Sequence, residues 1–213
     1  MMEYKPLTNA QIRLLTIEPG KIEDDIQCSL TIVSLDDKLK YEALSYVWGD
    51  PTIMRDIFVK VLARTDKLSR ALRRLHLRGR PDRGVVVPVT RNLFTVLHRF
   101  RPLDKCRTMW VDALCINQQD PDECSWQVLL MNRIYSQLPD RYAVFLHPEF
   151  PDFEFCPQEY NARLSLINIC SRDWRRRTWT VQEAILPENC VINIGSHQFP
   201  LWHFLSTALA TLL

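Results

Sequence analysis

Little in this sequence points to a metal centre, a membrane or a disulfide frame. The seven cysteines (Cys28, Cys106, Cys115, Cys124, Cys156, Cys170 and Cys190) are odd in number and never form a Cys-x-x-Cys pair. That pattern excludes a closed disulfide framework and a thiolate zinc site, and it predicts free thiols in a reducing compartment. The five histidines have no metal-ligand spacing. No apolar run is long enough to cross a bilayer, and the start, MMEYKPLTNAQIRLL, has no apolar signal segment. A cytoplasmic location and no membrane partner are therefore expected. The 27 Lys and Arg nearly balance the 25 Asp and Glu, so a net charge of +2 supplies no global field for nucleic acid. Internal repeats and low-complexity tracts are also missing.

What is present suffices for a real core: 46% of the residues are hydrophobic. At 213 residues the chain reads as one domain, 1–213, with its core from about residue 12 onward and a basic insertion at about 64–86. The insertion breaks the alternation of the flanking segments. Arg64–Arg83 carries eight Lys/Arg against Asp66 and Asp82, with Leu68, Ala71, Leu72 and Leu75 as one short apolar stripe. A solvated surface insertion fits better than a nucleic-acid patch, because no aromatics are interleaved for base stacking. Nucleic acid is therefore not an expected partner.

The stretch that organises the rest is Met109–Asp120, MWVDALCINQQD. Met109, Trp110, Val111, Ala113, Leu114 and Ile116 form a short apolar run, which fits a strand buried on both faces. Asp120, Pro121 and Glu123 then supply an N-cap acid, a proline at the first helical position and a glutamate at N3. Val128, Met131, Ile134, Tyr135 and Leu138 make the inner stripe of the helix that follows. Before this unit, Ile12–Ile17, Ile26–Leu35, Tyr41–Trp48 and Ile57–Leu62 read as strands, the last at an edge, and Thr90–Phe100 as a capped amphipathic helix. After it, Tyr142–Leu146 and Cys190–Ile194 read as strands and Leu201–Leu213 as a helix. Strands alternating with helices predict an α/β fold with an at least partly parallel sheet.

Several polar residues stand out. Asp112 lies inside an apolar run, where an acid is costly unless paired; it faces a site or is a structural acid bonded to Arg177 or to backbone N–H groups. Asn117 and Gln118 follow the strand's end and either bind a ligand or satisfy the loop. Trp48 and Trp179 offer rings for stacking a ligand, although buried tryptophans usually belong to the core. Cys115 reads as a core thiol, with no histidine near it in sequence.

Four blocks together resemble the fungal heterokaryon incompatibility (HET) domain: IRLL with its following Pro-Gly, YEALSYVWGDP, MWVDALCINQQD with the helix QVLLMNRIY, and W-x-x-R-x-WTVQEAIL from Trp174 to Leu186. Their order and spacing agree with that family over nearly the whole chain. Departures are Arg175, where the family has an aromatic, and Phe145-Leu146-His147, where it has Trp-Leu-Gly. The HET domain is in turn similar to the Toll/interleukin-1 receptor (TIR) domain, so the resemblance implies a TIR-like, flavodoxin-like sheet with helices on both faces and extra N-terminal strands. It also implies a role in fungal nonself recognition that ends in programmed cell death, a form of innate immunity.

In TIR enzymes a glutamate a few residues beyond a tryptophan serves the cleavage of NAD at the nicotinamide–ribose bond. The matching residue here is Glu183; its alternative is a surface helix glutamate paired with Arg176 or Arg177. The resemblance implies NAD or a related nucleotide as substrate and no resident cofactor. The other reading is a non-enzymatic module that works by self-association or through a recognition partner protein. Because parallel strands bring their carboxyl ends together, Tyr46, Trp48, Asp112, Asn117, Arg177 and Glu183 are expected to converge on one cleft, with Trp179 beside them.

Overall fold

The computed structural model describes residues 2–37, 39–62, 84–137, 142–145, 190–194, 197–203 and 206. The basic insertion through residue 83 and the segment 146–189 lie outside them. So do Arg177, Trp179 and Glu183.

Among the described residues nine strands form one mixed sheet: β1 (Gln11–Ile17), β2 (Gln27–Ser34), β3 (Glu42–Tyr46), β4 (Met54–Leu62), β5 (Val85–Thr90), β6 (Arg107–Val111), β7 (Tyr142–Phe145), β8 (Cys190–Ile194) and β9 (His197–Pro200). Their spatial order is β5-β4-β2-β1-β6-β3-β7-β8-β9. The stretch β6-β3-β7-β8 is parallel throughout. On one side β1 joins it antiparallel and leads into an arm of β2, β4 and β5; on the other β9 closes antiparallel on β8. Four residues in a row of β1, β2 and β3 are buried, as expected of strands covered on both faces.

The helices begin where local chemistry dictates. Helix α1 (Arg91–Phe100) is capped by Thr90, whose hydroxyl accepts from the Leu93 amide, and it buries Leu93, Val96, Leu97 and Phe100. Helix α3 (Pro121–Ser136) starts at Asp120, whose carboxylate accepts from the Asp122 and Glu123 amides, with Pro121 in its first turn. It carries the chain from β6 across β3 to β7. Its Tyr135 ring meets the buried Trp110 edge-on, with centroids 5.8 Å apart, and Tyr41 donates to the Ile134 carbonyl at 2.8 Å.

Three expectations are corrected. The run Met109–Ile116 is not one strand: β6 stops at Val111 and the chain coils into a single turn, α2 (Asp112–Cys115). Leu114 and Ile116 are buried all the same. Second, the end of the presumed insertion is a strand. The β-branched run Val85-Val86-Val87 pairs antiparallel with β4, so β5 and not β4 is the edge of the described sheet. Pro88 is tolerated there because an outermost strand needs no N–H on its free side. Third, Cys190–Ile194 is followed by one more strand, β9. Helical backbone then resumes at 201–203.

Candidate functional site

Strands β3 and β6 are neighbours in parallel register, Leu44 opposite Val111. Their carboxyl ends therefore release the chain side by side. From β3 come Val47, Trp48 and Gly49; from β6 comes Asp112. The Trp48 indole Nε1 donates to Asp112 Oδ2 at 2.9 Å, while Asp112 Oδ1 accepts from the Ala113 amide at 2.7 Å. Trp48 is still 41% exposed, so it is not a core tryptophan. Its polar edge is committed to the acid, and much of the ring stays open to solvent.

Both partners are held from behind. Asn92, on the inner face of α1, donates through Nδ2 to the Val47 carbonyl at 3.1 Å. Gly49 has φ of +81°, and a Cβ there would lie 2.6 Å from the Asn92 amide carbon, so only glycine lets the loop turn past this side chain. Beyond it, Asp50 accepts from the Thr52 amide at 2.8 Å and its hydroxyl at 2.7 Å. The hydroxyl bond first, then the amide bond, holds the exposed Asp50 carboxyl below its ordinary range. The Ile53 carbonyl accepts from the Arg91 amide, which ties the loop's far end to the start of α1.

On the β6 side, the Asp112 carbonyl accepts from the Ile116 amide and from Gln118 Nε2, both within the turn. Asn117 is used by its own loop: its Oδ1 accepts from the Gln119 amide at 3.2 Å, and its carbonyl accepts from the Asp120 amide and the Cys124 thiol. Tyr46 is only 1% exposed and lies in the core, so it gives no surface to a cleft. The backbone thus brings Trp48 and Asp112 into contact, spends Asn117 on the turn and turns Tyr46 inward. Where Arg177, Trp179 and Glu183 stand relative to this pair lies outside the described residues.

Cys115 sits at the end of the same turn and is no nucleophile. It is fully buried, its sulfur accepts from the Val111 amide at 3.3 Å, and burial pushes its thiol up to about 12. Among the described residues no group of His, Cys, Asp and Glu could hold a metal ion. What the arrangement offers is a partly exposed indole, a face on which a planar group can stack, held beside a carboxylate.

Three side chains that sequence reasoning passed over matter here, Tyr4, Arg13 and Asn92, and so does a fourth, Glu123, which it read only as part of a helix cap. Arg13 was visible as a lone cation in the apolar run IRLLTI. Asn92 was visible as a polar residue beside the inner stripe of α1. Nothing local distinguished Glu123 from an ordinary capping residue.

The family model for the heterokaryon incompatibility protein (HET) matches residues 41–149, just over half of the chain. The chain is also similar to heterokaryon incompatibility protein 6, OR allele, of Neurospora crassa, with 35% identity over 150 residues. That match takes in 68% of the chain but 20% of the relative, so the chain spans about a fifth of that protein's length. No solved structure matches the chain.

Proposed function

Because the chain belongs to the heterokaryon incompatibility (HET) family, we propose that it acts in fungal nonself recognition and triggers cell death by hydrolysing NAD or a related nucleotide. A cytosolic site of action is part of this reading. The observation that carries it is the Trp48–Asp112 contact at the carboxyl ends of adjacent parallel strands. Support also comes from strand order. Numbered along the chain, the parallel strands β6-β3-β7-β8 run 2-1-3-4, the start of the flavodoxin-like order to which TIR-like folds belong. Such sheets bind ligands at the strands' carboxyl ends, where the order reverses. Here that reversal falls between β3 and β7: Trp48 follows β3 and so flanks it, while Asp112 follows β6, on the other side of β3.

In the proposed reaction the bond between nicotinamide and ribose C1′ breaks and nicotinamide leaves with the bonding pair. Water adds to C1′ and loses a proton to solvent. Glu183 is the carboxylate that stabilises positive charge on the ribose as the bond breaks. In this reading Trp48 stacks on a ring of the nucleotide and Asp112 orients the indole, and the same reading gives Arg177 the role of holding the phosphate and Trp179 that of stacking on a ring. Incubation of the purified chain with NAD at high protein concentration, with nicotinamide followed by chromatography, tests this. Release that disappears in both Glu183→Gln and Asp112→Asn is expected. Release that survives both variants, or none from the wild-type chain together with undiminished cell killing by both, removes the hydrolase reading.

The second reading is a non-enzymatic module acting by self-association. It is favoured by the outer face of α3, where Leu129 is 79% exposed one turn before Arg133. Under it, Arg133→Glu abolishes killing and Glu183→Gln does not.

A further inference from the structure

A buried ion pair lies beneath the turn that carries Asp112. Arg13, in β1 and 1% exposed, meets Glu123, in the first turn of α3 and 5% exposed, through two hydrogen bonds of 2.5 and 3.0 Å. Each partner also grips the turn's backbone. Arg13 Nη1 donates to the Cys115 carbonyl at 2.9 Å, and Glu123 Oε1 accepts from the Asn117 amide at 2.7 Å. A third hold comes from the segment before β1. The Tyr4 hydroxyl donates to the Leu114 carbonyl at 3.1 Å, its ring centre lies 4.7 Å from the Arg13 guanidinium, and Arg13 Nη2 donates to the Lys5 carbonyl at 2.8 Å.

The α2 turn is too short to satisfy its own backbone, and its last carbonyls would otherwise be orphaned beneath the sheet. Buried ion pairs add little stability over well-packed apolar residues. What this one supplies is direction: a fork of donors fixed against one carbonyl and a carboxylate fixed against one amide. We infer that Tyr4, Arg13 and Glu123 are positioning residues that set the Asp112 carboxylate against the Trp48 indole. Their significance for ligand binding rests on the reading of Trp48 and Asp112 as the binding pair. The clamp itself does not.

The test uses the full chain and the Trp48 indole N–H cross-peak in a proton–nitrogen NMR spectrum, assigned by its loss in Trp48→Phe. Arg13→Met combined with Glu123→Leu removes the clamp without leaving a buried charge. Cooperative melting, an unmoved Trp110 indole peak and a Trp48 indole proton exchanging at least about tenfold faster are expected, because loosening is confined to one local unit. An unmoved Trp48 peak in a folded double variant overturns the inference. If the double variant does not fold, Tyr4→Phe decides, since it deletes a single hydroxyl. Faster exchange of the Ile116 amide, which bonds Asp112 and none of the three clamp residues, supports the clamp; an unchanged rate overturns it. Nicotinamide release is read separately. A displaced Trp48 signal with no release from the wild-type chain sinks the hydrolase reading and leaves the clamp standing.

Discussion

The two ends of the strand pair β3–β6 close in different ways. At the amino ends Arg107 lies across Glu42, donating from Nη2 at 2.6 Å and from Nε at 2.9 Å, and its guanidinium stacks 4.4 Å from the Phe100 ring centre. Opposite charges meet, an aromatic covers them, and about a quarter of each side chain is exposed. At the carboxyl ends an acid meets an indole, and the ring stays open to solvent. The first arrangement resembles many partly exposed structural ion pairs. The second leaves an aromatic surface beside a carboxylate, and the loop that presents it is pinned by Asn92 and Gly49. The same parallel register produces both meetings, so position along the strand alone does not mark a site. What differs is that one end sets charge against charge under an aromatic ring, while the other keeps its indole 41% exposed.

The largest loss should follow removal of the residue that lies between the two ends. Trp110 is fully buried in β6, and Trp110→Ala should cost roughly 3–5 kcal/mol in chemical denaturation, as large aromatic truncations in cores do. A loss below about 1 kcal/mol would mean that β6 does not anchor the core. Next comes Gly49→Ala, which forces a side chain into a left-handed conformation and against Asn92. It should cost roughly 1–3 kcal/mol and displace the Trp48 indole signal while leaving the Arg107–Glu42 end unaltered.

Smaller changes sharpen the contrast. Arg107→Met should lower stability by about 1 kcal/mol, because the pair is partly exposed and screened, and leave any cell-killing activity intact. Asp112→Asn should fold with a similar melting temperature and lose that activity. If the two variants behave alike, the functional distinction between the ends is lost. The least perturbing test reads the thiols on either side of β6. Cys106 is exposed and should alkylate in the native chain, whereas Cys115 should label only after unfolding, which peptide mass mapping reads directly. The buried thiols Cys28 and Cys115 are pushed up from 9.0 to about 12 by burial, so the folded state holds their protons more tightly than the unfolded chain does. The stability this contributes is whole below pH 9 and should be lost as pH climbs toward 12. A denaturation midpoint that stays flat across that window would show that the two thiols are not buried.

Features governed by neighbours in sequence were legible from residue types. Thr90 and Asp120 cap their helices because a hydroxyl or carboxylate reaches amides two or three residues on. The apolar positions of β1, β2 and β3 were legible too, although burial also takes in Arg13, Ser29, Thr31 and Ser45, and the alternation of β2 marks Ser29 and Thr31 as its polar face. The Pro-Gly and Gly-Asp-Pro turns follow from backbone freedom and constraint. The nearness of Trp48 to Asp112 was also within reach, because parallel neighbours align their carboxyl ends.

Tertiary structure alone decided the rest. Glu123 looked like the partner of its own helix end, yet its carboxylate is taken by Arg13, 110 residues away, and by the Asn117 amide. The apolar run through Ile116 looked like one strand, yet it breaks at Val111, because buried carbonyls of a turn found donors in Tyr4 and Arg13. Tyr46 and Trp48 sit two residues apart at the end of one strand, and packing buried the first and exposed the second. Capping and periodicity act over a few residues and are written locally. The partner of a buried charge is set by which strands lie side by side, and that order exists only once the sheet has formed.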